Sequence, residues 1–461
     1  MGYNLAEHMT YKKILLGAIP SIFMMICLSI YSVVDGFFIS NFAGKTPFAS
    51  VNLIWPFIMT LASLGFMMGT GGTALVAKAF GEGDYERGNR YFSNCVNVSF
   101  LIGVASTLLS VFFLPNIARF LGADEEMLPY CVKYGQVLSL GIPFFNLQNL
   151  FQSFFTAAEK PSLGFFVTIL AGVANIALDA ILVAGFGLGV IGAGIGTISG
   201  QIVGAVLPLF YFVRKNKSPL CLRPARFEWP AIGRMMSNGV SEFVTNISAS
   251  VLSMVMNYLL MRYYGQNGVG AYGIICYVWM IYAACFIGYN ISVSPRISFH
   301  YGAKNKPEMR NTYLKSLVIL ILFGLFQCGM AEALTYPIGL AFVGYDAELL
   351  ELTVYASRIY SILYVFLGLN MFGSAFFTAL NNGLVSAILS VSRLLVIEMG
   401  CVLLFPVFLQ GNGVWVGVVA AESVAACMNL LTMHLFGRRY GYRKENGAKE
   451  EAREEETSSS Q

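Results

Sequence analysis

Charge is scarce in this chain. Lys, Arg, Asp and Glu make up 12% of its 461 residues, about half the ~25% of a soluble globular domain, so a water-soluble fold is excluded. Histidine occurs three times, at His8, His300 and His434, in separate segments. A membrane-embedded enzyme would need catalytic or metal-binding groups clustered at one surface, and this spacing offers none. The nine cysteines lie mostly in apolar segments without a CxxC spacing, which favours buried thiols over disulfides or zinc. No nucleotide motor is evident: GKT at 44–46 ends like a phosphate-binding loop, but Ile39 stands where that pattern needs glycine. GLGVIG (187–192) matches GxGxxG without a preceding strand, and reads as a tight turn followed by close helix packing through Gly192 and Gly196. The apolar run after Lys12 and Lys13 is much longer than the core of a cleavable signal and ends in no small-residue cleavage site, so it is expected to stay as the first helix.

Apolar residue is what the chain has in excess: 56% hydrophobic and a mean hydropathy of +0.66. Runs of about 20 residues, each enough to cross ~30 Å of hydrocarbon as a helix, recur near 13–40, 50–77, 92–114, 129–157, 162–185, 190–213, 232–262, 270–299, 313–336, 350–380, 384–409 and 414–436. The fold class expected is therefore an all-α polytopic membrane protein of about twelve transmembrane helices. Of the 29 basic residues, 23 fall in the loops and tail on the side of the N-terminus. Lys45, Arg119, Lys133, Arg262 and Arg358 fall on the other side, and Arg393 lies within a span. The asymmetry leads to the expectation that both termini are cytoplasmic, and the membrane expected is the plasma (inner) membrane. The net charge of +4 is a topology signal and gives no basis for nucleic-acid binding. The mixed-charge tail after residue 437 has no apolar periodicity and is expected to be disordered.

The sequence repeats itself. AFGEGD (79–84) and HYGAKN (300–305) each follow a long apolar run, with Gly81 and Gly302 separated by 221 positions. Gly44 and Gly265, Gly192 and Gly413, and Gly196 and Gly417 keep that spacing, while FFTA recurs at 154–157 and 376–379 after a slip of one. The domains expected are an N-terminal six-helix lobe (1–213), a basic linker (214–231), a C-terminal six-helix lobe (232–437) and the tail (438–461). Six helices per half put both copies the same way up, a parallel repeat about the membrane normal. Two such bundles around a central cleft suit a secondary transporter working by alternating access.

An aspartate at the centre of a membrane helix costs about 2.5–3.5 kcal/mol on insertion scales, so such residues usually face protein or water and serve an ion or proton path. Asp179 lies six residues before Gly185 and Asp35 six before Asn41, which at 1.5 Å per residue puts both about 9 Å below the outer surface. Asn175 is one turn deeper than Asp179, Tyr31 one turn deeper than Asp35, and Thr197 enters from the outer end of the sixth helix. These are the hard oxygen ligands a small cation prefers. Two close carboxylates in a low dielectric could alternatively hold a proton between them.

In the second half, Glu242, Asn246, Ser250, Ser253 and Asn257 form a polar stripe at helical spacing. It reads as a substrate-facing surface or as packing against another helix. Glu332, Arg393, Glu398 and Glu422 are the other charges that look buried, and Arg393 is expected to pair with Glu398 or Glu422 as a structural ion pair. Twenty methionines and 14% aromatic residues are compatible with a pliable surface for flat lipophilic compounds.

VVDGFFIS, AFGEGD, FFTAAEKP, ANIALDAILV, GVIGAGIGT and NGVSEFVTN together resemble the multidrug and toxic compound extrusion (MATE) family of the oligosaccharide-lipid flippase superfamily, over roughly residues 10 to 437. The resemblance implies export of drugs or other small cationic or neutral amphipathic compounds, driven by inward sodium or proton flow. Matched motif to motif, it implies a cation site of Asp35, Asn175, Asp179 and Thr197 with the Ala193 carbonyl. Tyr31 also matches, and Pro20 marks where the first helix bends; its missing hydrogen bond and crowded ring give the bend a cause. Some members carry a second acidic site across the seventh and tenth helices, where this chain has Glu242 but Asn370. No cofactor beyond the coupling ion (Na+ or H+) and no resident metal is implied. The partners expected are a small-molecule substrate and membrane lipid, without nucleic acid, with the protein acting as a monomer. The alternative within the superfamily is a lipid or lipid-linked oligosaccharide flippase, which would want a strongly cationic cavity.

Overall fold

A computed structural model describes residues 4–43 and 45–442, so most of the expected tail, from residue 443, lies outside the described residues. Among these residues, nine helices are long and apolar enough to cross a membrane, or ten when Ala347–Ser361 and Tyr364–Ala379, bent by 50°, are taken as one span. Two further spans come from the chain's own exceptions. Trp229–Gly302 folds back at Gly265, whose φ of 63° is open only to glycine among ordinary residues, and so supplies the seventh and eighth spans. Leu128–Ala157 is the fourth. Its buried face carries Asn146, Gln148, Asn149 and Gln152, which lower its hydropathy because protein surrounds it on that side instead of lipid.

The remaining spans are Tyr11–Phe38, Lys45–Gly81, Tyr85–Phe120, Pro161–Gly185, Gly189–Val213, Lys306–Val343, Gly383–Leu409 and Gly411–Tyr440. The twelfth helix thus continues through Tyr440, past the end expected at 437. Their outward faces are apolar, as at Phe112 (76% exposed) and Val407 (73%), an arrangement that suits lipid tails and not water.

The repeat is visible in backbone detail. Asp84 and Asn305, 221 positions apart, each cap the following helix by accepting a hydrogen bond from the backbone three residues on. Each follows a residue at positive φ, Gly83 and Lys304. Glu159 and Asn381, each two residues after the helical FFTA of its repeat, also share a positive φ.

Both described ends lie on one side of the bundle, the face rich in basic residues. There the lobes meet backbone to backbone. A Cβ at Gly81 would overlap the Phe299 carbonyl, and a Cβ at Gly302 would overlap the Lys78 carbonyl; Lys78 and Phe299 are themselves repeat partners. The seventh helix closes on the second in the same manner, Gly71 on the Met235 carbonyl and Gly239 on that of Met67. Close helix approach through small residues is the usual means of joining helices where no water can be expelled.

Two straps run over this face. Leu5 N–H donates to Glu159 in the first lobe (2.9 Å) and Met9 N–H to Glu308 in the second (2.8 Å), with Leu5 and Met9 both buried. The inter-lobe linker is pinned to the third helix: Asn89 accepts from Cys221 N–H (2.8 Å) and donates to the Pro219 carbonyl (3.2 Å), and Ser93 accepts from Arg223 N–H (3.1 Å).

Candidate functional site

The fifth helix changes to a π-helix, Ala180–Gly185, directly after Asp179, the kind of local widening often found at functional positions. Asp179 is fully buried and Asp35, on the first helix, is 9% exposed. The Asp35 carboxyl lies within hydrogen-bonding reach of Asp179 and of the Thr197 hydroxyl. Asn175 donates to Asp179 (3.3 Å) from one turn below, and Thr197 donates to the Ala193 carbonyl (3.0 Å). Glycine at 196 is what admits the sixth helix, since a Cβ there would overlap Asp179 Oδ1.

The site is rich in acceptors and poor in donors. Asp35 Oδ1, Asn175 Oδ1, Asp179 Oδ1 and Gln201 Oε1 are buried with no hydrogen-bond partner among the described residues. Buried acceptors in this state carry a cost of about 1–3 kcal/mol each, which a sodium ion or protons on the carboxylates would offset. Tyr31 lies close to Gln148, and the Tyr134 hydroxyl lies near both carboxylates. A cavity of about 180 Å³ adjoins the site, lined by Tyr31, Asn175, Thr197 and Gln201 and, from the eighth helix, by Trp279 and Met280.

The second lobe has its own buried polar cluster. Arg393 donates to Glu422 Oε1 through Nε (3.0 Å) and Nη2 (2.7 Å). Asn370 donates to the other Glu422 oxygen and accepts from Asn429 (3.0 Å). Glu398, 6% exposed, lies close enough to interact electrostatically with both Arg393 and Glu422. A π-helix again explains the placement. Ser392–Glu398 is π-helical, and with i to i+5 hydrogen bonds Arg393 and Glu398 stand one turn apart instead of on different faces.

The family model named MatE matches this chain twice, over residues 20–181 and 243–403. The chain belongs to the MatE family. This MatE protein is 24% identical over 447 residues to the multidrug export protein MepA of Staphylococcus saprophyticus, covering 94% of this chain and 95% of the relative. It is 24% identical over 430 residues to MepA of Staphylococcus haemolyticus, at 93% and 94% coverage. Its fold is similar to that of a multidrug resistance MATE family transporter of the MOP superfamily solved in an outward-facing conformation, with a TM-score of 0.90, 22% identity, and 95% and 98% of the two chains covered. As a member of a transporter family with this many apolar spans, it is an integral membrane protein.

In this MatE chain Asp35, Asn175, Asp179, Thr197, Ala193 and Tyr31 converge, and Pro20 lies inside the continuous first helix. Glu242, Asn246, Ser250 and Asn257 do not line the cavity beside them. Asn246 donates instead to the Glu242 carbonyl (2.9 Å) and Ser250 to the Asn246 carbonyl (3.0 Å), bonds within their own helix. Asn370 is turned to Glu422 on the twelfth helix. Glu332 is a correction: its side chain is 47% exposed instead of buried, and it pairs with Arg358 (3.2 Å). Gln148 and Tyr134 were missed by sequence reasoning; the repeat spacing pairs Gln201 with Glu422 and marks a charge difference between the halves, without placing Gln201 beside the acids.

Proposed function

We propose that this MatE protein exports small amphipathic compounds, cationic or neutral, in exchange for sodium ions or protons moving inward, with both chain ends in the cytoplasm. The observation that carries the reading is the meeting of Asp35 and Asp179 from different helices among buried oxygens that lack donors. Such a set binds a hard monovalent cation or protons and has no use for an anion. The adjoining cavity supports the cargo class, because its lining is aromatic, methionine-rich and amide-bearing and contains no Arg or Lys. A pyrophosphate-linked lipid would want cations there. The relatives' names as multidrug export proteins agree with this direction of transport.

The same reading includes alternating access: the lobes touch on the basic face through bare backbone, and rocking about that contact would expose the cleft to one side and then the other. Ion or proton exchange at Asp35 would bias the first helix, with Pro20 as the bending point. The test is efflux of ethidium from proteoliposomes under an imposed sodium or proton gradient, comparing the wild type with Asp35→Asn and Asp179→Asn. Gradient-driven transport that both substitutions abolish, with folding intact, is the expected result. Transport unchanged in both variants overturns the coupling site, and a wild type that moves no cation under either gradient overturns the cargo.

A further inference from the structure

The two polar clusters occupy corresponding places in the two repeats. Gly192 and Gly196 on the sixth helix match Gly413 and Gly417 on the twelfth, which sets Gln201 opposite Glu422. On the tenth helix the spacing is the 222 of FFTA, which sets Gln148 on the fourth helix opposite Asn370. Gln201 lines the cavity beside the first-lobe acids, and Gln148 lies close to Tyr31 of the same lining, whereas in the second lobe Glu422 holds Arg393 and Asn370 holds Glu422. Each lobe has a π-helical segment adjoining an acid, Asp179 in the fifth helix and Glu398 in the eleventh.

The charges differ in one respect. The first lobe brings together two carboxylates and no base. In the second, two carboxylates accompany one guanidinium, whose side chain is 12% exposed against 4% for that of Glu422. Tyr272 on the eighth helix, Tyr360 on the tenth and Cys401 on the eleventh complete the titratable surroundings of Glu398, and none of them brings a positive charge. A first lobe holding one monovalent cation would therefore carry the same formal charge as the second lobe carries with Arg393 in place.

We propose that Arg393 is a built-in cation: its guanidinium fills, as part of the chain, the place that a mobile monovalent cation takes in the first lobe. The second lobe is thereby held permanently in the loaded state and exchanges no ion, and removing the guanidinium converts it into a site for a free monovalent cation. The glutamate oxygens are already arranged for such an occupant, with Glu422 fixed by Asn370 and with Glu398, buried and accepting no hydrogen bond among the described residues, turned toward the same charge. This reading rests on the first-lobe acids being the coupling site, so its test is made where they are silent.

The parent for the experiment is the full chain carrying Asp35→Asn and Asp179→Asn, into which Arg393→Met is introduced. Thermal unfolding of the purified protein is followed against methylguanidinium and against sodium, at constant ionic strength set with choline. With Arg393→Met in place, the chain should show a saturable rise of a few degrees in its midpoint with one or both ions, and the parent none. Because Arg393→Met exposes two buried carboxylates to each other, the variant Arg393→Met with Glu398→Gln, which keeps the parent's net charge in the cluster, is measured alongside. Recovery of either variant only when methylguanidinium is present throughout purification is the same result in stronger form. The proposal is overturned if neither variant responds, if the parent responds equally, or if no variant is recovered even with methylguanidinium. Failure of Asp35→Asn to affect transport in the otherwise native chain would instead count against the first-lobe site alone.

Discussion

In the first lobe Asp35 and Asp179 lie within hydrogen-bonding reach with no base beside them; in the second, Glu398 and Glu422 share Arg393. The two halves descend from one repeat, yet their polar centres are built for different work. An acid pair without a base is a costly arrangement to bury, and its value lies in what it can take up and release. An acid pair closed by a guanidinium, with Asn370 and Asn429 completing the hydrogen bonds, is fixed. The repeat thus preserves the position of a polar centre, and on the reading proposed above a single basic residue decides whether that centre exchanges an ion.

The contrast between the lobes is most vulnerable at Glu422. Glu422→Gln leaves the buried guanidinium with Glu398 as its one counter-charge in the cluster and removes its charge-assisted hydrogen bonds, which should cost about 1.5–3 kcal/mol of stability, read as a fall in the thermal unfolding midpoint. Asp35→Asn should do the reverse, leaving the midpoint nearly unchanged or raised while ion affinity, measured by sodium-dependent stabilisation or isothermal titration, falls on the order of ten- to a hundredfold through loss of a bond worth about 1.5–3 kcal/mol. Gly196→Ala tests whether the sixth helix must approach Asp179 so closely. The added methyl should cost about 1–3 kcal/mol in overpacking and weaken ion binding more than it weakens the second lobe. A milder exchange is Gln201→Glu, which gives the first lobe the acid of the second without its arginine; ion-dependent stabilisation should increase, and a decrease would show that the positions do not correspond. The smallest effect is expected at Asn89→Ala, where two linker hydrogen bonds of about 1 kcal/mol each are lost with transport retained.

Much of this arrangement is legible in the sequence because hydrophobic length and repeat spacing are strong signals. The twelve spans, the doubled lobe and the shared depth of Asp35 and Asp179 all follow from distances along the chain. GLGVIG is the turn it reads as, with Gly187 and Gly189 at positive φ and Gly192 close against Leu182. What spacing alone leaves open is direction around a helix. Glu332 and Glu398 look alike in apolar runs, but one is exposed beside Arg358 and the other is buried. The helical stripe from Glu242 to Asn257 reads equally as a cavity wall or as packing, and spacing does not show that Asn246 and Ser250 bond to their own helix backbone. The fourth helix, dense in Asn and Gln, gives no periodic hint that Gln148 meets Tyr31 or that Tyr134 comes near the acids.

Gly81 rests on the Phe299 carbonyl and Gly302 on that of Lys78, and each residue in that contact is the repeat counterpart of the one it answers. A surface that meets its own copy in this reciprocal way is the signature of an isologous two-fold interface. A half-length ancestor inserted twice in the same orientation would have dimerised through this glycine. Fusion of its two copies would then have freed the halves to diverge in charge while keeping the joint on which both still close.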